Sequence, residues 1–434
     1  MALGNAEDLM GIYRRAVERD AQFAAAGAAR EAAREAIPQA QAGYRPTISA
    51  SANLNFSRQK VTYDNAAALG AIGAVSGQNR SFSERGVALE VTQPIYHRET
   101  ALTVQQSHSR LGQAEAEYTA AHHELMMRVA QRYFDVLAAL DSLDTARAEK
   151  RAVGRQLDQS QQRFAVGIVA KTDVHEAQAS YDLAIAREIA AENQVANARE
   201  ALREITGEYP GNLTPLSTDT PLTAPEPADP SHWVKDAMEN NPAIAAAHLQ
   251  LEFASHQREV QRSGHYPRLD AVGSYSLQNT SGSSGIAGAT DTDSAVLGIR
   301  LTAPLYQGGM VSSRVRQAAA EYTRAQETLE QTRRATELAV RRSYLGIVTG
   351  ISQVKALRQA VVSNKSALEA TEAGYQVGTR TVVDVLNTQR LLFAAERDYS
   401  QSRYDYVLNT LLLKQAAGQI NEKDLQAVNN WLGK

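Results

Sequence analysis

The chain is built twice over. Segments near its start recur about 221 residues later, and segments beyond its first quarter recur about 210 residues later. Asp20-Ala21 stands opposite Asn241-Pro242, and Pro46-Thr47-Ile48 opposite Pro267-Arg268-Leu269. QPIY, Gln93 to Tyr96, matches APLY, Ala303 to Tyr306. FAVGIVAKTDV from Phe164 matches YQVGTRTVVDV from Tyr375, and Ile205-Thr206-Gly207 matches Ala416-Ala417-Gly418. Each copy contains a proline-free stretch, 97–164 and 309–375, with helix-favouring composition. At about 1.5 Å per residue, each is a rod roughly 100 Å long. Such a rod cannot wrap around a globular core and must lie against other rods.

The returning segments show what those rods pack against. Val385, Leu392, Tyr399, Tyr406 and Leu413 recur every seven residues, and their first-copy equivalents are Val174, Tyr181, Glu188, Val195 and Leu202. Leu111, Ala114, Tyr118, Ala121, Leu125 and Val129 form a similar stripe. Sustained seven-residue spacing predicts coiled-coil packing. Helices are therefore expected at 6–42, 97–164 and 173–206, and again at 231–264, 309–375 and 384–417. The domain reading that follows is a first repeat over 1–207, a linker over 208–230, a second repeat over 231–418 and a final segment over 419–434.

Between the first and second helices of each copy the period changes to two. Ile48, Ala50, Ala52, Leu54 and Phe56 alternate with Ser49, Ser51, Asn53, Asn55 and Ser57, and Val87, Leu89 and Val91 resume the pattern. In the second copy Leu269, Ala271, Tyr275 and Leu277 alternate, then Ala295, Leu297, Ile299 and Leu301. Strands are expected at 45–60, 82–95, 268–279 and 293–305, joined in pairs by polar loops such as NTSGSSGIAGATDTDS. Alternation over about ten residues is the mark of a membrane β-strand, with one face to lipid and one to water. A lipid environment tolerates no open strand edge, and four strands cannot close a barrel. Three copies would give twelve strands and two would give eight. The alternative is a periplasmic coiled-coil structural or adaptor protein without a pore.

Composition removes most other classes. With 45 basic and 48 acidic residues there is no cationic excess to bind nucleic acid. The chain has no cysteine, which excludes thiolate metal sites, cysteine nucleophiles and disulfides. No apolar run approaches the length of a membrane helix. The start MALGNAEDL carries no charged or apolar leader pattern, so an exported form would be a mature one. His122 and His123 are adjacent and point to different helix faces, which argues against a metal site, and no P-loop, HExxH or GxGxxG motif occurs. No enzyme activity and no cofactor are expected.

Three long segments carry a specific resemblance. GYQVGTRTVVDVLNTQRLLFAAERDYSQSRYDYVLNTLLLKQAAGQINEKDLQAVNNWL, RQLDQSQQRFAVGIVAKTDVHEAQASYD and APLYQGGMVSSRVRQA resemble the TolC-like outer-membrane efflux family, the outer membrane factors. The likeness covers essentially the whole chain, duplication included. It implies an α+β membrane protein: a homotrimer sharing one transmembrane β-barrel, four strands per chain, continuous with a long periplasmic α-helical coiled-coil barrel. It implies a bacterial outer-membrane exit duct for tripartite drug efflux or type I secretion. The implied partners are a periplasmic adaptor (membrane fusion) protein, an inner-membrane transporter of RND, ABC or MFS type, and outer-membrane lipid.

The copies diverge most at their helix-turn-helix tips. Phe164, Ile168 and Val169 of the first copy face Tyr375, Thr379 and Arg380 of the second. The resemblance places Tyr375 and Arg380 in a gate latch with Asp173, Thr172 and Gln156, with Glu372 close by. Read from the residues alone, Asp173 and Asp384 begin helices and would cap them, Asp173 and Glu176 resembling a capping box, while Tyr375 would be coiled-coil core. The resemblance also places Asp384 and Asn387 in the tunnel constriction, where the family pattern has two aspartates. One of two acidic rings is thus uncharged here, and weaker cation selectivity and weaker block by multivalent cations are expected. Val166 and Gly167, with Val377 and Gly378, mark the tip turns and the expected contact with the adaptor.

Overall fold

The computed structural model describes residues 7–60, 62, 64, 67, 79–218, 220–282 and 288–433. Most of the inter-strand loop at 61–78, residues 283–287 of the second loop, and the first six residues lie outside the described residues. The first copy runs α1 (Leu9–Arg19), α2 (Ala21–Arg34), α3 (Ala36–Ala42), β1 (Thr47–Lys60), β2 (Asn79–Tyr96), α4 (Arg98–Ala165) and α5 (Lys171–Thr206). The second runs α6 (Pro230–Asn240), α7 (Pro242–Ser263), β3 (Arg268–Gly282), β4 (Thr290–Thr302), α8 (Met310–Gln376) and α9 (Val382–Ala416), followed by α10 (Glu422–Asn429). The long rods α4 and α8 have 68 and 67 residues.

The first helix of each copy is broken where the sequence reading drew it continuous, and local chemistry explains each break. Asp20 is extended (φ −67°, ψ 116°), and its carboxylate accepts the Phe23 amide at 2.6 Å, opening α2. Pro38 would clash with the carbonyl four residues back, so the helix restarts at Ala36 and holds the proline in its first turn. In the second copy, Asn241 precedes Pro242 and is forced out of the helical region (φ −71°, ψ 122°). Its side chain then caps α7 through the Ala243 amide (2.9 Å) and donates to the Ala416 carbonyl (2.8 Å).

Two compact units cut across the repeats, each drawing on both copies: Met1–Glu31, Gln113–His248 and Thr328–Lys434, and Ala32–Gly112 with Leu249–Glu327. The second of these holds a four-stranded antiparallel sheet of order β1-β2-β3-β4. Its register sorts the side chains into a mainly apolar and a mainly polar face. One rung reads Ile48, Val91, Gly273, Leu297, and the next Ala50, Leu89, Tyr275, Ala295. On the same face Phe56 is 81% exposed and Leu297 90%. The opposite face carries rungs such as Ser49, Glu90, Ser274, Val296 and Ser51, Ala88, Ser276, Ser294. Beside the sheet, His97 contacts Asp270 at 2.8 Å, and Arg268 pairs with Glu99 at 2.5 Å.

The other unit is helical and contains the main core. Tyr13, Tyr133, Phe134, Tyr404 and Tyr406 are almost fully buried there, among Leu125, Leu202, Leu411 and Leu425. Each tyrosine hydroxyl reaches a polar group. Tyr133 donates to Thr214 O (2.7 Å) and Tyr404 to Asp141 Oδ2 (2.7 Å), while Tyr406 accepts the Thr223 amide (2.9 Å). Trp233 is buried and donates to Pro227 O at 3.0 Å. In this way the inter-repeat linker is tied onto the helices. The unit also contains both helix tips.

Candidate functional site: the paired helix tips

Both tips are closed by the same backbone device. After α4, Gly167 (φ 79°) donates to Phe164 O, and Ile168 to Arg163 O, both at 2.9 Å. After α8, Gly378 (φ 82°) donates to Tyr375 O at 3.3 Å and Thr379 to Gly374 O at 2.9 Å. This is the Schellman pattern, which consumes the last free carbonyls of each rod. A Cβ at either glycine would meet nothing within 4 Å, so the glycines serve the left-handed backbone and not close packing. The turns expose apolar side chains: Val166 is 70% and Val377 76% exposed, with Ile168 beside them in the same state.

Behind the turns a small core joins the two hairpins. Val153 and Leu157 of α4, Ala177 of α5, Tyr375 of α8, and Val382, Val385 and Leu386 of α9 are packed together. Polar groups are buried with them. Ser160 is fully buried and Gln156, Tyr375 and Gln389 nearly so. The Ser160 Oγ, Gln156 Nε2, Tyr375 hydroxyl and Gln389 Oε1 have no hydrogen-bond partner. An unsatisfied buried group costs about 1–3 kcal/mol, so this packing is poorly satisfied as it stands.

The structure brings together some of the residues singled out from the sequence and leaves others apart. The Tyr375 ring lies under the Arg163 guanidinium (4.4 Å), which also donates to the Tyr375 carbonyl at 3.4 Å. Among the described residues, neither Asp173 nor Thr172 bonds to Tyr375 or Arg380. Glu372 accepts from Gln389 Nε2 at 3.4 Å, and not from Gln156. The capping box expected at Asp173 and Glu176 is absent. α5 starts at Lys171 with Ala170 as an N-cap that has no side-chain bond, and Asp173 stands in the first turn. The second copy makes the box because Thr381 supplies the hydroxyl that Ala170 lacks. Asp384 Oδ2 accepts from the Thr381 amide (2.9 Å) and hydroxyl (2.9 Å), and Thr381 Oγ1 accepts the Asp384 amide (3.3 Å). These bonds, backbone first, hold the Asp384 carboxyl below its ordinary pKa, with Arg380 adding to the effect and desolvation opposing it.

Three residues further along α9, Asn387 Oδ1 accepts from Arg390 Nη2 at 3.0 Å. Sequence reading missed Arg390, Arg163, Ser160 and Gln389. The signal for Arg390 was its position three residues after Asn387, a helix neighbour. Burial of Ser160 and Gln389 depends on packing between hairpins and leaves no such mark. Among the described residues no group of three or more His, Asp or Glu could hold a metal ion.

A two-faced sheet together with long rods paired into hairpins defines a class of envelope channel, and comparisons place the chain within it. Residues 12–208 and, again, 233–419 match the outer membrane efflux protein family, so the duplication is also a duplication of the family's unit. The outer membrane protein TolC of Vibrio cholerae is 37% identical over 98% of this chain and 93% of its own length. TolC of Escherichia coli is 37% identical over 100% of this chain and 86% of its own. The proteases secretion protein PrtF of Dickeya chrysanthemi is 28% identical over 98% and 90%. Among solved structures, the Campylobacter jejuni CmeC outer membrane channel superposes with a TM-score of 0.78 over 98% of this chain and 90% of that one, at 16% identity, a likeness of fold alone. The chain belongs to the outer membrane efflux protein family. It is an outer-membrane exit duct, with its helical part in the periplasm.

Proposed function

We propose that three copies of the chain form one duct with a shared twelve-stranded barrel, and that the periplasmic helix tips act as its valve. The sheet carries this reading. Its exposed apolar face suits lipid and its polar face suits a water-filled lumen, yet β1 and β4 each keep an unpaired edge. Edges of this kind cannot stand in lipid, so β4 of one copy pairs with β1 of the next until the ring closes. The absence of native cysteine makes the test clean. Ser51→Cys on β1 and Ser294→Cys on β4, treated with a short bismaleimide in outer membranes, yield a ladder that stops at the trimer. A ladder that stops at the dimer, or that continues past the trimer, rejects the stoichiometry.

In the valve, Tyr375 and Arg380 are the latch, with Asp173, Thr172, Gln156 and Glu372 as partners when the tips are drawn together in the ring. The unpaired Tyr375 hydroxyl and Gln156 amide support this, since both await a partner. Asp384 and Asn387 line the constriction. Val166, Gly167, Val377 and Gly378 present the apolar turns that a periplasmic adaptor would grip. An inner-membrane transporter of RND, ABC or MFS type then supplies the cargo and the energy. Cargo is drug, protein or both, as the relatives named for protease secretion suggest.

A further inference from the structure

We infer that Arg390 weakens the duct's preference for cations by placing a fixed positive charge beside Asn387 at the constriction. This rests on the reading that Asp384 and Asn387 line that constriction. Arg390 stands three residues after Asn387 on α9, on a neighbouring part of the helix surface. Its guanidinium donates to Asn387 Oδ1 at 3.0 Å, and both side chains are exposed. Wherever Asn387 faces, the guanidinium is therefore beside it. No carboxylate among the described residues pairs with Arg390, so its charge is uncompensated within the chain.

The neighbouring charges are few, and among the described residues none of them forms an ion pair with it. Asp384 is the acid of this stretch, and its carboxylate is turned onto the start of its own helix, where Thr381 donates to it twice. Glu372 of α8 accepts from the Gln389 amide, which brings no compensating charge. Arg380 precedes Asp384 and makes no ion pair among the described residues. Successive levels of the stretch thus carry a cation at Arg380, an anion at Asp384, a neutral amide at Asn387 and a cation at Arg390. With Arg380 committed to the latch, Arg390 offsets Asp384, and without it the acids Asp384 and Glu372 would dominate the ring. A guanidinium does not titrate in any physiological range, so the preference is permanent and not pH-gated. The sequence expectation of residual cation selectivity counted the acids and left out the base.

Reversal potentials under a KCl gradient, with the purified duct in planar bilayers, test this. Arg390→Gln raises the potassium-to-chloride permeability ratio at least about fivefold, the order expected for one unit charge a few ångströms from the path. It also tightens block by hexamminecobalt(III) by a similar factor. Arg390→Lys, which keeps the charge, leaves both near the native values, and Asp384→Asn shifts the ratio the other way. If Arg390→Gln changes nothing while Asp384→Asn does, the constriction reading stands and the role of Arg390 is rejected. If Arg390→Lys behaves like Arg390→Gln, charge is not the cause and the inference fails. If neither Asp384→Asn nor Arg390→Gln moves the ratio or the block, these positions do not line the constriction, and both readings fall.

Discussion

Glycines with the same left-handed backbone differ in what a side chain would cost. At Gly418 (φ 73°) a Cβ would fall 2.4 Å from the Asn240 carbonyl oxygen, against rigid backbone. Gly418→Ala therefore carries both backbone strain and a clash, a loss of about 2–4 kcal/mol. At Gly378 only the strain applies, about 1 kcal/mol. Thermal unfolding in detergent should show the larger drop for Gly418→Ala, and equal drops would refute the distinction. Half-buried histidines give a second prediction at this scale. Burial lowers the pKa of His122 and of His123, with His122 adding to the effect on His123 and Glu422 opposing it on His122. A base with a lowered folded pKa binds fewer protons folded than unfolded, so its contribution is full above the unfolded value of about 6.5 and declines below it. The melting temperature should fall from pH 7 to pH 5, and replacing both histidines by glutamine should flatten that slope.

The elements were read from the sequence in proportion to how local their causes are. The seven-residue stripe from Val385 to Leu413 is visible because each position obeys one period, and most of it is buried. The strand pairs were visible for the same reason, and in the structure they extend to Lys60, Asn79, Gly282 and Thr290 at their loop ends. The helix breaks at Asp20 and Asn241 were missed although their signals were present, a capping carboxylate in one case and a following proline in the other. Apolar periodicity on both sides outweighed them. At the tips, the glycine turns were legible and the side-chain pairings were not, because Arg163 over Tyr375 and Gln389 against Glu372 join separate helices. The two faces of the sheet make a directional prediction. Leu297→Arg, on the apolar face, should destabilise the inserted barrel by about 2–4 kcal/mol, the cost of a charge near the bilayer midplane. Ser274→Arg, on the polar face, should cost little. Urea unfolding in lipid vesicles separates them, and similar losses would mean the faces are assigned wrongly.

At the scale of the molecule, duplication repeats the unit from which the proposed duct is built, and divergence marks the tips proposed to control it. On the trimer reading proposed above, two similar hairpins per chain would make a tube wall of near-equivalent rods that neither repeat could close alone. The copies share their turn glycines and their returning stripes. They part company where Tyr375 replaces Phe164, where Thr381 caps a helix that Ala170 leaves uncapped, and where Arg390 stands beside Asn387. The buried, unpartnered polar groups behind the tips fit an element meant to change partners. The central claim is a pore whose valve is this pair of tips, and single-channel recording in planar bilayers tests it most directly. The native protein should give discrete, small conductance steps, and Tyr375→Phe combined with Arg380→Ala should give steps several-fold larger. Absence of steps from both proteins, or identical steps from both, would contradict the account.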